Sequence, residues 1–286
     1  MTSSMNLFES NSTNQIQNTL NPIDPELINL KLWTASAIDI IKKFEGKDFA
    51  NITGNFDGTG LTCGALGWTI KWNNQQPLVK KFVSTFGINE LLRKMPKTGS
   101  QYWDIIQISD YNLAIEKANE WSNSSSIVIE PYRSELNALW SDTRMINIQY
   151  DFAEITIGQW AKKQAIDFSI SLKVHLNFKY FVYFFDQAVL NGKNGVPKIE
   201  EAQKITNEEI FSWMESYNEG YTQTEFKKNR ALWAKIIKNQ TLDFQLLFKM
   251  AYLRALMSKP FFKPVTMNRR GALALGSGYV NGVLYQ

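Results

Sequence analysis

Residues 44–67 constrain the fold of this chain most strongly, because an apolar helical pattern ends there and a glycine-rich turn pattern begins. Apolar residues recur at three- and four-residue spacing from Leu32 to Phe44, which predicts an amphipathic helix. Gly46 is well placed to end that helix. The run Asn55-Phe56-Asp57-Gly58-Thr59-Gly60 is typical of a turn between strands. We therefore expect a helix followed directly by a small β-hairpin region.

Two carboxylates in this stretch have different predicted surroundings. Glu45 lies at the negative end of the helix dipole and beside the apolar side chain of Phe44. Both surroundings disfavour the ionised carboxylate, so we expect the pKa of Glu45 to be raised. Asp57 lies in the turn, where backbone amides can keep it ionised. A protonated and an ionised carboxyl group are the pair that hydrolyses a glycosidic bond as general acid and base.

Spacing alone leaves a plainer interpretation open. Asp57-Gly58 is a common hairpin-turn dipeptide, and a glutamate such as Glu45 is frequent at the end of a helix. Short motifs of this kind often occur without the function.

The run Asp57-x-x-Gly60-x-Thr62-x-x-x-Leu66-Gly67 resembles the signature of the family-46 glycoside hydrolases, the chitosanases, with Glu45 as the upstream acid. The order Glu-Asp-Thr also resembles the phage-type lysozymes. The stretches 54–58 and 64–68 are similar to those of bacterial proteins with lysozyme-like domains. The resemblance implies that Glu45 is the acid, Asp57 the base, and Thr62 a residue that helps to hold the attacking water.

The same resemblance implies a fold and further binding residues. It implies a mainly α fold of the α+β class, with lysozyme-like helical lobes and a small β-hairpin region at the active-site cleft. The stretch 184–192 is similar to a chitosanase helix, and the arginines of Asn268-Arg269-Arg270-Gly271 are similar to those of the lysozyme-like relatives. The residues that we expect to contact substrate are Asn55, Gly60, Trp68, Asp186 and Arg270.

These binding residues have structural interpretations as well. Asp186 could hold backbone or an arginine at a helix end, and Arg270 could form a buried salt bridge that positions the hairpin. Trp68, Trp72 and Tyr102 could stack on sugar rings, although aromatic residues at such spacing are common in cores.

Length and composition agree with a single enzyme domain. With 286 residues and 44% hydrophobic content, the chain can bury a large core, and we expect a polar flexible tail at 1–30 and a catalytic domain at 31–286, in one or two lobes. Cys63 is the one cysteine and His175 the one histidine. We expect Cys63 to be a packed, inert thiol and His175 to be an interior or boundary residue, with no metal and no cofactor.

The remainder of the chain has mostly helical spacing, interrupted by glycine and proline. The stretch from Leu172 to Leu190 is apolar on most faces, as in a central helix, but it carries too many polar residues to span a membrane. Further predicted helices are 77–86, 89–95, 102–108, 111–121, 135–140 and 150–168.

The charge balance bears on the glycan and on the partners. The formal net charge is +4, which suits an anionic bacterial wall better than polycationic chitosan, and Thr59 departs from the acidic or basic residue usual in chitosanases. We therefore expect peptidoglycan as substrate, with chitosan and a non-catalytic glycan-binding module as the alternatives. The low positive charge without a basic run argues against nucleic acid.

The start of the chain bears on where the protein acts. It has no classical signal-peptide pattern. We expect synthesis in the cytoplasm and, as an antibacterial enzyme, specialised export to the periplasm or cell wall. That route implies two further partners, a secretion-machine component and a neutralising immunity protein.

Overall fold

The computed structural model describes residues 29–45, 48–55, 58–122, 127–219 and 223–286, most of which are helical. The first half contains a three-stranded sheet between helices. Its elements are α1 Leu30–Glu45, β1 Ile52–Thr53, β2 Thr62–Cys63, β3 Trp68–Thr69, α2 Gln76–Phe86, α3 Ile88–Lys94, α4 Gly99–Gln107, α5 Tyr111–Ser122, α6 Tyr132–Trp140 and α7 Thr143–Ala153.

The second half is helical up to a short C-terminal hairpin. A π-helical turn, Glu154–Gly158, joins α7 to the next helix without a break. The further elements are α8 Gln159–Leu172, α9 Phe178–Asn191, α10 Ile199–Gln203, α11 Asn207–Ser216, α12 Gln223–Ile236, α13 Leu242–Leu256, α14 Lys263–Leu275, β4 Gly278–Val280 and β5 Val283–Tyr285, with 3-10 turns at Ile237–Asn239 and Pro260–Phe262. The predicted mainly α fold is confirmed.

Local sequence explains where several helices begin and end. Pro77 lies in the first turn of α2, where its missing N–H is not needed, and Gly87 ends the helix at φ 86°. Thr206 caps α11 by accepting a hydrogen bond from Glu209 N at 3.1 Å. Gly276 ends α14 in the left-handed conformation.

The three-stranded sheet is an antiparallel meander in the order β1-β2-β3. Thr53 pairs with Thr62, and Thr62 pairs in turn with Thr69, so Thr62 lies on the central strand. Cys63 on the same strand is fully buried, and burial raises the pKa of its thiol well above the usual value. The predicted packed position of this thiol is therefore confirmed.

Helix α9 is the central helix of the second half. It packs against α1, α8 and α14, and residues 180–187 are all buried. The predicted apolar central helix is thus present, but it begins at Phe178 because Leu172 ends α8 and Asn177 caps α9 through Lys179 N at 2.8 Å. His175 lies exposed in the connection between the two helices, so the predicted interior or boundary position is wrong.

Within these residue ranges, no helix is both long enough and apolar enough to cross a membrane. The described residues also contain no group of three or more His, Cys, Asp and Glu side chains arranged to hold a metal ion.

Candidate active site

The two predicted carboxylates are only partly within the described structure. Glu45 is the last residue of α1, as predicted, but its side chain lies outside the described residues. Asp57 lies outside them entirely, in the interval between Asn55 and Gly58. Their acid and base roles remain predictions. The structure describes what holds the two backbone segments that carry them.

The C-terminal hairpin fixes the last turn of α1. Asn281 Nδ2, in the turn between β4 and β5, donates a hydrogen bond to the carbonyl oxygen of Phe44. The Phe44 ring also meets Tyr285 of β5 edge-to-face, with centroids 5.2 Å apart. A carbonyl in the last turn of a helix has no intrahelical donor, so Asn281 satisfies a group that the helix leaves open. The residue before Glu45 is therefore held on both its ring and its backbone.

A buried ion cluster lies behind the same helix end. Arg269 Nε of α14 donates to Asp186 Oδ1 of α9 at 2.5 Å, and Arg270 Nε lies 3.7 Å from Asp186 Oδ2. The guanidinium carbon of Arg269 also lies 5.6 Å from the Phe44 ring centroid. The cluster therefore joins α9, α14 and the last turn of α1.

Asp186 and Arg270 themselves are fully buried. Arg270 Nη2 donates to Asn191 Oδ1 at the end of α9. Burial lowers the pKa of Arg270 to about 10, and the attraction of Asp186 opposes that change. The contacts of Asp186 and Arg270 are those of a structural ion cluster, and neither of these two side chains reaches solvent in this structure.

The loop that carries Asp57 is closed by its flanking residues. Asn55 Oδ1 accepts a hydrogen bond from Gly60 N at 2.8 Å, which brackets the Asp57 position. Gly60 has φ 81°, and a Cβ there would lie 3.2 Å from Ile115 Cγ1 of α5. Only glycine suits that backbone conformation with so little space. Asn55 and Gly60 are thus joined to each other on the two sides of the Asp57 position.

Gln149 of α7 ties the sheet to the helices. This buried side chain accepts hydrogen bonds from Trp68 Nε1 at 3.3 Å and Ala65 N at 3.4 Å, and it donates to Phe49 O at 3.5 Å. Trp68 is only 3% exposed and meets Phe152 edge-to-face. The contacts of Trp68 are those of a core residue that orients the sheet.

Thr62 and Trp72 differ in their access to solvent. Thr62 is buried on β2, and its hydroxyl has no hydrogen-bond partner among the residues described. Trp72, in the turn after β3, is 67% exposed, and Lys71 Nζ lies 5.6 Å from its ring centroid. Because Lys71 N donates to Thr59 O at 3.1 Å, this turn adjoins the Asp57 loop. Tyr102, by contrast, is fully buried.

Sequence reasoning missed the residues that hold the site from a distance. They are single polar side chains with no periodic pattern, and their partners are far away in the chain. The one available signal was the Asn281-Gly282 dipeptide, which predicts a hairpin turn but not the bond to Phe44. The missed residues are Gln149, Asn191 and Asn281, while Arg269 was named in the Asn268–Gly271 motif but given no role.

Comparison of the chain with protein-family models, with curated proteins and with solved structures finds no match.

Proposed function

We propose that this protein is a glycoside hydrolase that cleaves the amino-sugar glycan of bacterial peptidoglycan, with Glu45 as general acid and Asp57 as general base. One observation carries the proposal: a long-range hydrogen bond from Asn281 holds the helix end that bears Glu45, and a local hydrogen bond from Gly60 N to Asn55 Oδ1 joins the residues on either side of Asp57. Fixed backbones are what a pair of catalytic carboxyl groups needs, because misplacement by about 1 Å costs about a hundredfold in rate.

The surroundings of the loop add support. The Thr62 hydroxyl is buried and has no partner among the described residues, and its role in holding the attacking water rests on the resemblance of this stretch to lysozyme-like hydrolases. Trp72 is the exposed aromatic side chain on the adjoining turn, and its ring is available to a sugar face. The resemblance of residues 44–67 to lysozyme-like hydrolases and the net charge of +4 favour a wall glycan as substrate. A lysozyme-like arrangement of lobes around a cleft belongs to the same proposal.

The delivery of the enzyme is also part of the proposal. An enzyme of this kind has to reach the wall, and we propose specialised export to the periplasm or cell wall. A secretion-machine component and an immunity protein would be its partners.

The test is hydrolysis by the purified full-length protein of peptidoglycan and, separately, of chitosan, with soluble products identified by mass. Glu45→Gln keeps the size of the side chain but cannot donate a proton, so we expect a rate loss of at least about a hundredfold. Glu200→Gln, on the exposed side of α10, is the matched control and should keep full activity.

The outcomes separate the three functions. Cleavage of peptidoglycan that Glu45→Gln abolishes supports the proposal. Cleavage of chitosan alone makes the protein a chitosanase. Binding to either polymer without cleavage makes it a glycan-binding module, and normal turnover by a folded Glu45→Gln variant overturns the assignment of the acid.

A further inference from the structure

An exposed apolar surface lies between α13 and α14, far along the chain from the candidate active site. We call it the 256–262 patch, and its apolar members are Leu256, Met257, Phe261 and Phe262. Met257 is 60% exposed, Phe261 55% and Phe262 51%. Isolated apolar side chains are normal on a protein surface, but large ones clustered within seven residues indicate an interaction site.

The backbone of the patch is held in a defined shape. Residues Pro260–Phe262 form a 3-10 turn, in which Phe262 N donates to Lys259 O at 2.9 Å. Tyr217 OH donates to Pro260 O at 2.7 Å, and Ser258 Oγ lies 3.0 Å from Thr266 Oγ1 across the turn. The aromatic side chains are therefore presented by a braced turn.

The charges around the patch are mainly positive. Lys259 and Lys263 flank the two phenylalanines, and residues 256–264 contain no acidic side chain. Glu219 contributes a negative charge near Tyr217, where burial, followed by Glu219, raises the pKa of the tyrosine. Lys259 and Lys263 therefore leave residues 256–264 positively charged, with Lys263 Nζ 5.8 Å from the Tyr217 ring centroid.

We propose that the 256–262 patch binds the surface of an anionic lipid bilayer. Phenylalanines suit the boundary between headgroups and acyl chains, while flanking lysines extend their charged ends to anionic headgroups. A protein partner of the same apolar character would not require the cations. A single small patch gives reversible binding, because stable anchoring takes more than one membrane signal. This inference does not depend on the glycan-hydrolase proposal.

The test is co-sedimentation of the full chain with vesicles of phosphatidylcholine containing phosphatidylglycerol, and with vesicles of phosphatidylcholine alone. We expect binding to the anionic vesicles, weaker binding as salt is added, and little binding to the neutral ones. The double variant Phe261→Ser/Phe262→Ser should weaken binding more than about tenfold. Lys259→Gln/Lys263→Gln should weaken it roughly 25-fold at low salt, since each lysine contributes about fivefold.

Matched controls lie at the start of α13 and in the 3-10 turn that precedes it. Leu242→Ser removes an exposed leucine at the start of α13, and Lys238→Gln removes an exposed lysine; both should bind as the unchanged protein does. Circular dichroism and the melting temperature verify folding, and Met257→Ser replaces the double variant if that variant does not fold.

Three results would overturn the proposal. The first is no binding of the full chain to anionic vesicles. The second is equal binding by the folded phenylalanine variant. The third is a dimer in solution that the phenylalanine variant dissociates without any vesicle binding, which would make the patch an interface between two copies of this chain.

Discussion

The side-chain amide of Asn281 donates a hydrogen bond to the main-chain carbonyl of Phe44, across 237 positions of the chain. Asn281 has a positive φ of 49°, a conformation that asparagine tolerates better than most residues. The turn of the C-terminal hairpin thereby points an amide at an open carbonyl of α1. The C-terminal hairpin thus holds the last turn of α1, the helix that ends at Glu45.

Replacement of Asn281 should weaken activity more than stability. Asn281→Gly keeps the backbone conformation but removes the donor, so we expect a loss of about 1 kcal/mol in the free energy of unfolding. We expect glycan hydrolysis to fall by roughly tenfold, because the end of α1 is no longer fixed. Asn281→Asp keeps the shape but sets a carboxylate against a carbonyl, and it should be the more harmful change. Full hydrolysis by both variants would show that the hydrogen bond from Asn281 to the Phe44 carbonyl has no part in activity.

Loss of the buried carboxylate of α9 should destabilise the whole second half. Asp186→Asn removes the negative charge that offsets the buried charges of Arg269 and Arg270. We therefore expect the free energy of unfolding, measured by urea denaturation, to fall by about 3–5 kcal/mol. The control is the exposed pair of Glu215 and Arg230 at 2.6 Å. Glu215→Gln should change the free energy of unfolding by less than about 1 kcal/mol. Equal effects of the two changes would contradict a structural role for the cluster.

Helix positions were predictable where the sequence itself ends the helix. Gly87 and Pro96 separate helices α2 to α4, and the predicted boundaries there agree with the structure to within a few residues. The predicted helix at 150–168 is instead the middle of a continuous run from Thr143 to Leu172, because a π-helical turn carries the chain through Gly158. A glycine inside a helix does not have to end it.

Only part of the candidate site could be read in the same way. The helix end at Glu45 and the turn after Asn55 are local features, and local patterns predict them. Asn281 and Gln149 act on backbone far away in sequence, and one polar side chain carries no information about a distant partner. The sequence left two positions open for Trp68, a core and a sugar-binding surface, because an indole suits both, and the structure shows the core position.

The sheet should depend on the amide of Gln149. Gln149→Leu leaves Trp68 Nε1, Ala65 N and Phe49 O without the buried partner they now have. Such groups cost about 1–3 kcal/mol when unsatisfied, so we expect a loss of at least about 2 kcal/mol in the free energy of unfolding. Gln245→Leu, which removes the part-buried amide that donates to Gln240 O at 2.9 Å, is the control and should cost about 1 kcal/mol. A smaller loss for Gln149→Leu than for the control would mean that the sheet is held by other contacts.

Acid should weaken the contact between α3 and α7. Hydrogen bonds from Arg93 and then Arg144 lower the pKa of Glu90 to about 2, and Arg144, followed by Lys94, also lowers the pKa of Asp142. Because folded pKa values lie below the unfolded values of about 4, this stabilisation is present above about pH 4. It is lost as the pH falls from about 4 to about 2.

The measurement for this contact is the melting temperature as a function of pH. Arg144→Leu should lower the melting temperature at neutral pH and reduce its fall between about pH 4 and about pH 2. Lys163→Gln, which breaks the exposed pair with Asp167 on α8, should leave that fall nearly unchanged. An unchanged pH dependence in Arg144→Leu would exclude this network as a source of acid sensitivity.

Trp72 and Trp68 should respond to substitution in opposite ways. Trp72 is exposed beside the Asp57 loop, so Trp72→Ala should raise KM for the glycan several-fold and leave the melting temperature within about 2 °C of the original. Trp68 is buried and bonded to Gln149, so Trp68→Phe should cost about 1–3 kcal/mol in stability. Because Trp68→Phe removes no group that faces solvent, its KM should not change while the protein is folded. A raised KM for Trp68→Phe together with an unchanged KM for Trp72→Ala would reverse the two roles and return Trp68 to the sugar-binding position that the sequence predicts.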